Sequence, residues 1–196
     1  MIKDLYIIGN GFDLHHGIDS SYSDFYEWMN KNYPDIINKV DNVYGNCDSH
    51  WWSDFENQLA SLDAIRYGDA VAFMNQPDLS DEHCDRMWGD AEIAVQNELE
   101  NLYSDLRFCF HKWIHQLKRP QDSQKIKLSI TNAVFLSFNY TKTLEHLYGI
   151  TSNRILHIHG CIDDNEDFIL GHGKTYEELE SLNTIDLPGK HPTKYV

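Results

Sequence analysis

The stretch Leu5-Tyr6-Ile7-Ile8-Gly9-Asn10-Gly11-Phe12-Asp13 decides the fold that this sequence predicts. Its first four residues form a continuous apolar run, which is typical of a strand buried on both faces in a parallel sheet. The two glycines that follow end the strand and favour a tight turn into a helix. The stretch therefore predicts the strand–turn–helix unit with which an α/β fold is built.

Three further strands are predicted after Pro120. They lie at Ala133–Phe138, Arg154–His159 and Phe168–Leu170, and a short helix at about Lys142–Tyr148 connects the first two. Strand, helix and strand in this order form a βαβ unit. Together with the first strand, they predict a Rossmann-like α/β fold with an open, mostly parallel sheet, interrupted by a large helical insertion at about residues 34–120.

The intervening sequence has helical periodicity. Apolar residues at spacings of three and four predict helices at Tyr22–Asn32 and at about Ala91–Lys118. Ser53-Asp54-Phe55-Glu56 has the form of a capping box and predicts a helix through about Tyr67. The acidic, turn-rich region Gln76–Asp90 is predicted to be a solvated loop.

The composition indicates one globular domain over residues 1–196. The chain is 41% hydrophobic and 24% charged, and its length is close to the roughly 150 residues of an average domain. The four cysteines form no C-x-x-C pair, so we expect reduced thiols. No apolar run approaches the roughly 20 residues of a membrane span. We therefore expect a cytoplasmic protein with no membrane contact.

The charge disfavours nucleic acid as a partner. Sixteen basic and 31 acidic residues give a net charge of −15, which repels a phosphate backbone. One basic cluster stands out against this background and comprises Lys112, Lys118, Arg119, Lys125 and Lys127. It is either a local functional patch or a solvated face that complements the end of a helix.

Polar and glycine-rich pieces follow each of the four predicted strands. They are Gly9–Asp13, Asn139–Thr141, His157–Gly160 and Gly171–Gly173. In open α/β sheets, ligands bind at the carboxyl ends of the strands. The sequence therefore predicts that these four pieces converge on one site.

The first piece has two interpretations. Gly9 and Gly11 allow backbone N–H groups to approach a phosphate without an intervening Cβ. They are equally consistent with a tight turn that binds nothing. Leu14 stands where the dinucleotide fingerprint G-x-G-x-x-G has its third glycine, so the dehydrogenase form is excluded.

The later pieces also leave alternatives open. Asn139 follows an apolar strand, where its amide can hold a ribose or a water, or simply cap the next helix. His157 and His159 are two residues apart on a predicted strand and would share one face. Two histidines on one face at a strand end favour a functional role over a purely structural one.

Five ordered motifs resemble the bacteriophage abortive-infection AbiH family. They are Ile7–Leu14, Trp52–Glu56, Ser137–Glu145, His157–Gly160 and Leu170–Gly173. The resemblance implies a phage-defence protein, with a phage-derived trigger or partner protein and a homo-oligomer among its expected partners. Members of this family are usually longer at the C-terminal end, so we expect a chain ending at Val196 to be short or truncated.

A more distant similarity is to sirtuins and sirtuin-like NADase domains. Gly9–Gly11 through Gly17-Ile18 reproduces the glycine spacing of their first motif, Asn139 resembles their ribose-binding asparagine, and His159-Gly160 resembles their catalytic pair. The resemblance implies an NAD glycohydrolase in which His159 is the general base and Asn139 orients the ribose. Without a four-cysteine zinc module, protein deacylation is not implied. The residues expected to bind NAD or a related nucleotide are Gly9, Asn10, Gly11, Asp13, Asn139, Tyr140, Thr141, His157, Gly160 and His172.

Two other functions compete with this one. A metal-dependent hydrolase would use an Asp/His set, although no fixed ligand spacing supports it. That set comprises Asp13, His15, His16, His157, His159 and His172. A non-catalytic nucleotide sensor, or an oligomerisation module, is the second alternative.

Overall fold

The fold is a mixed α/β arrangement around a small parallel sheet. A computed structural model describes residues 4–62, 67–68, 84–162 and 169–171. Within these ranges the strands are β1 (Asp4–Ile8), β2 (Ala133–Ser137) and β3 (Ile155–His157), in the order β1-β2-β3. Both pairings are parallel, and Ser137 at the end of β2 is level with Ile8 and His157. The carboxyl ends of all three strands therefore lie at one edge.

The sheet is smaller than predicted. β2 and β3 end one and two residues earlier than expected, and the part of the predicted fourth strand that the structure describes, Ile169 and Leu170, is not a strand. Phe168 lies outside the described residues. The Ile169 N–H donates to the carbonyl of His159, and the Leu170 carbonyl accepts from the Tyr103 hydroxyl. These backbone groups thus bond to a turn and a side chain instead of a neighbouring strand.

One face of the sheet is exposed, contrary to the prediction that β1 is buried on both faces. Leu5 and Ile7 on β1 are 62% and 67% exposed, and Leu156 on β3 is 60% exposed. The opposite face packs Ile8 and Phe135 against Leu144. A continuous apolar run provides two apolar faces, but burial of both needs an element packed on each. In the described part of the chain, only one face has such a layer.

Seven α-helices have bounds within the described residues, where two short 3-10 helices, Asp122–Gln124 and Ser152–Arg154, and the helical residues Tyr67 and Gly68 also lie. The seven α-helices are α1 (Asn10–His15), α2 (Tyr22–Asn32), α3 (Pro34–Tyr44), α4 (Ser49–Ser53), α5 (Phe55–Ala60), α6 (Cys84–Ile114) and α7 (Thr143–Tyr148). The first six lie in the connection between β1 and β2, and α3, α4, α5 and α6 fall within residues 34–120. None of the described helices has the length and apolar character needed to span a membrane.

Capping explains where α2 begins. The Ser21 hydroxyl accepts from the Asp24 N–H and the Asp24 carboxylate accepts from the Ser21 N–H, which together form a capping box. The capping box predicted at Ser53–Glu56 is wrong. Ser53 is the last residue of α4 and donates its hydroxyl to the carbonyl of His50, and the N-cap residue of α5 is Asp54, whose side chain makes no capping hydrogen bond.

Two helix ends also differ from the prediction. α6 already begins at Cys84, so residues 84–90 are helical and not a loop. Carboxylates near the start of a helix stabilise it, so an acidic composition does not exclude one. α6 ends at Ile114, four residues before the expected end, and α5 ends at Ala60 rather than near Tyr67.

An aromatic helical core positions the site. Phe25, Trp52, Phe55 and Phe110 are all at most 1% exposed and pack in one cluster contributed by α2, α4, α5 and α6. Phe110 also packs against Tyr140, just after β2, with ring centroids 4.8 Å apart. This contact holds the helical layer against the ends of the strands, and a cleft lies where they meet.

Candidate functional site

A cleft of about 220 Å³ lies at the carboxyl ends of the strands. Its wall from the sheet side carries polar residues that the sequence predicted, namely Asn10, Asp13, Asn139, Tyr140, Thr141 and His159. α1 follows β1 and contributes two of them, the loop after β2 contributes three, and the turn after β3 contributes His159. The predicted convergence of the first three pieces is therefore present in the structure.

Asp13 is a buried carboxylate that joins α1 to the loop after β2. It is 1% exposed and accepts hydrogen bonds from the hydroxyls of Thr141, at 2.5 Å, and Thr143, at 2.7 Å. Burial raises the pKa of Asp13 above its usual value, and these hydrogen bonds oppose that shift. Asp13 therefore holds the shape of the cleft, with both carboxylate oxygens already engaged.

Asn139 presents an unsatisfied amide at the cleft. It is 6% exposed, and its side-chain Nδ2 has no hydrogen-bond partner. The amide lies near enough to Asp13 to lower the pKa of that carboxyl, but the two groups do not reach hydrogen-bond geometry. A buried donor without a partner costs about 1–3 kcal/mol, so a polar ligand group that accepts from it gains that energy.

His157 supports Asn139 from outside the cleft. Its Nδ1 donates to the Asn139 carbonyl at 3.1 Å, and its Nε2 lies 3.1 Å from Oε1 of Glu145 on α7. Both side chains of this pair are nearly buried, at 12% and 14% exposed. His157 thus fixes the backbone that carries Asn139, and it does not line the cleft, where the sequence had placed it as a ligand-binding residue.

The hydrogen bonds of His159 determine its tautomer. The Tyr140 hydroxyl has one proton and donates it to the carbonyl of Ile169 at 2.9 Å. Its contact with Nδ1 of His159, at 3.2 Å, must therefore be donated by the imidazole. A neutral imidazole protonated at Nδ1 carries its lone pair on Nε2. In the described part of the chain, Nε2 has no hydrogen-bond partner, so it can act as a base.

Glu56 and Tyr22 are site residues that the sequence reasoning missed. Oε1 of Glu56 lies 3.9 Å from Nδ1 of His159, and the Tyr22 hydroxyl donates to the same oxygen. Burial, together with the neighbouring Tyr140 and Glu56, raises the pKa of Tyr22, which keeps its hydroxyl protonated as a donor. A carboxylate beside Nδ1–H stabilises the tautomer that has its lone pair on Nε2. Glu56 belongs to the motif Trp52–Glu56, one of the five that carry the family resemblance, and that motif could have identified it as a site residue.

Other predicted residues are not brought to the cleft. Gly9 and Gly11 flank Asn10, and a Cβ added at either would meet nothing within 4 Å, so neither glycine is required by a close protein contact. Gly160 has φ +82°, the left-handed region that favours glycine, and it forms the turn directly after His159. His172 lies outside the described residues.

The described residues do not form the metal site considered as an alternative. His16 is fully buried and uses both ring nitrogens, on the carbonyl of Phe12 and the hydroxyl of Tyr148. His15 bonds to the carbonyl of Gln124. Among the residues that the structure describes, no three His, Cys, Asp or Glu side chains are grouped as metal ligands. The Asp/His set is therefore dispersed, apart from His172, which is not described.

Fold and cleft together define an α/β protein with a polar cleft at the carboxyl edge of a parallel sheet. The chain belongs to the bacteriophage abortive infection AbiH family, whose profile matches residues 5–191. The match agrees with the resemblance that the sequence motifs carry, and it associates the chain with abortive infection as a defence against phage. No curated protein and no solved structure matches.

Proposed function

We propose that this phage-defence protein binds NAD or a related nucleotide in the cleft and hydrolyses its N-glycosidic bond. The observation that carries the proposal is the orientation of His159, whose Nδ1 is held by Tyr140 and Glu56 while Nε2 keeps its lone pair. The sirtuin-like relationship and the Rossmann-like arrangement with an insertion at 34–120 stay predictions. The Rossmann-like arrangement with an insertion is supported by the pairing of β1 with β2, since six of the described α-helices lie between these two strands in sequence.

The reaction needs few groups. As the bond between nicotinamide and ribose breaks, its electron pair leaves with the nicotinamide, which departs neutral, and the ribose becomes oxocarbenium-like. A water then forms a bond to the anomeric carbon, and its proton passes to Nε2 of His159. Such a reaction depends on orientation of the ribose and on one positioned base.

Asn139 supplies the orientation in this proposal. Its buried Nδ2 has no partner, and a ribose hydroxyl oxygen is an acceptor of suitable size and polarity. His157, itself held by Glu145, fixes the backbone of Asn139 before the ligand arrives. Preorganisation of this kind reduces the entropy that binding would otherwise cost.

The test is the release of nicotinamide. Purified chain is incubated with NAD, with and without EDTA, and free nicotinamide is followed by chromatography. We expect release by the wild type that EDTA does not alter. It should fall by at least about 100-fold in His159→Ala, because a positioned base contributes on that order. It should also fall in Asn139→Ala, which loses the group that orients the ribose.

A matched control is His50→Ala, which removes an exposed imidazole that lines neither this cleft nor the one beside it. This variant should retain the wild-type rate. Equal rates in His159→Ala and wild type would contradict the role of His159. Stabilisation by NAD in a thermal shift without any nicotinamide release would instead indicate the non-catalytic nucleotide sensor.

A further inference from the structure

A second cleft adjoins the first and carries positive charge. It has a volume of about 230 Å³ and shares Ile114 and Thr141 with the first cleft as a common wall. Its basic side chains are His115, Lys118, Arg119, Lys142 and His146. They come from two separate parts of the chain, the turn after α6 and the segment formed by α7 and its N-cap residue Lys142. The fold therefore gathers cations that are distant in sequence.

The charge of this cleft contrasts with that of the whole protein. The chain has almost twice as many acidic as basic residues, yet none of the described residues that line this cleft is Asp or Glu. Lys118 forms an ion pair with Asp19 at 3.1 Å, and both partners are largely exposed, so solvent screens the pair. The basic cleft is thus a local positive region on an anionic protein, which favours an anionic ligand.

A helix dipole does not account for these cations. Lys118 and Arg119 follow the C-terminal end of α6, where positive charge is favourable. Lys142, however, is the N-cap residue of α7, at the end of a helix where the dipole disfavours a cation. The dipole thus gives no reason for Lys142 to line the same cleft as Arg119.

The first cleft cannot neutralise a phosphate by itself. The described residues that line it include the carboxyl groups of Asp13 and Glu56 but no Lys or Arg. Each cleft is also smaller than the roughly 300–1,000 Å³ typical of a complete small-molecule site. The two are complementary, since the first offers hydrogen-bonding groups and a base and the second offers cations.

We infer that the basic cleft binds the phosphate groups of a nucleotide whose ribose occupies the first cleft. Arg119 is the group best suited to hold phosphate oxygens, since a guanidinium donates two parallel hydrogen bonds. Lys142 contributes charge from the opposite element. The nucleotide part of this inference rests on the proposed function, whereas the phosphate site is testable without NAD.

The experiment measures binding by calorimetry for three ligands, inorganic pyrophosphate, NAD and nicotinamide riboside. The variant is Arg119→Ala combined with Lys142→Ala. The matched control is Lys127→Ala combined with Lys31→Ala, which changes the net charge equally at exposed positions that line neither cleft. Circular dichroism and the thermal midpoint verify that each protein is folded.

We expect pyrophosphate to bind the wild type and the control equally and the cleft variant at least about tenfold more weakly, the effect of losing one charge-assisted hydrogen bond. The affinity for NAD should fall by a similar factor, while that for nicotinamide riboside, which has no phosphate, should not change. Equal pyrophosphate affinity in all three proteins, or none in the wild type, would overturn the inference. If the cleft variant binds pyrophosphate more weakly than the wild type but neither protein binds NAD, the phosphate site is supported and the proposed function is refuted.

Discussion

Removal of the Asp13 carboxylate should destabilise the protein, because this side chain joins α1 to the loop that carries the site. Asp13→Ala leaves the hydroxyls of Thr141 and Thr143 without their acceptor. Thr143 is 3% exposed, and an unsatisfied buried hydroxyl costs about 1–3 kcal/mol. The two hydroxyls lie 3.1 Å apart and can bond to each other, which offsets part of this cost. We expect the free energy of unfolding to fall by about 2 kcal/mol in Asp13→Ala.

The isosteric variant Asp13→Asn keeps one acceptor oxygen, so we expect a smaller loss of about 1 kcal/mol. Guanidinium denaturation followed by tryptophan fluorescence measures both losses as lower midpoints at an unchanged slope. Glu27→Gln, at an exposed position on α2, is the control and should stay within about 0.5 kcal/mol of the wild type. If Asp13→Ala also stays within about 0.5 kcal/mol, the structural role argued for Asp13 is refuted.

We also expect the difference in stability between the wild type and Asp13→Asn to depend on pH. Burial raises the pKa of Asp13 above its usual value of 3.8, so the folded state binds this proton more tightly than the unfolded chain. Protonation of Asp13 therefore stabilises the folded state. This stabilisation is complete below about pH 3.8, the ordinary pKa of the group, and is lost as the pH rises through the higher pKa of Asp13 in the folded protein. The stability advantage of the wild type over Asp13→Asn should therefore narrow from pH 4 to pH 7. An advantage that widens over this range would contradict the assigned direction of the shift.

Three further predictions concern the site, a turn and the thiols. Glu56→Gln removes the carboxylate 3.9 Å from His159 and should lower the rate of nicotinamide release by about tenfold, with an unchanged thermal midpoint. Equal rates in the variant and the wild type would show that the contact between Glu56 and His159 does not contribute to the reaction. Gly17→Ala should lower the free energy of unfolding, measured by chemical denaturation, by about 1–2 kcal/mol, because Gly17 has φ +74° and a Cβ there would lie 3.0 Å from Gln124 Oε1. An unchanged denaturation midpoint would show that the turn accommodates the alanine. Burial raises the pKa of the Cys47 thiol to about 12 and that of Cys109 to about 11, so neither should react with iodoacetamide at pH 8 until guanidinium is added, as mass spectrometry of the digested protein would show.

Local patterns predicted much of the sheet and part of the site. The apolar run and glycines at Leu5–Gly11 gave β1 and α1, and the patterns around residues 133 and 155 gave β2 and β3. Since parallel strands end at a common edge, the meeting of Asn10, Asn139 and His159 followed from strand positions alone. Family membership over residues 5–191 agrees with the same motifs.

Sequence patterns predicted the structure less well where the same residues can form two different local structures. Ser53 has the spacing of a capping residue, but its hydroxyl bonds back to His50, so the side chain serves the end of one helix instead of the start of the next. Residues 84–90 are acidic and turn-rich but helical. In both places the local pattern was compatible with two structures, and tertiary context overrides such weak local preferences.

The sequence by itself determined the elements whose causes are local, such as apolar runs, glycine turns and the net charge of −15. Only the tertiary structure decided which side chains from distant segments meet. Glu56 reaches His159 from a helix more than 100 residues away, with Tyr22 bonded to its carboxylate, and Arg119 lines the same cleft as Lys142 across a strand and its loops. The physical reason is that hydrogen bonds and charges act over a few ångströms in space, and a distance in space between such segments is fixed by the packing of the core.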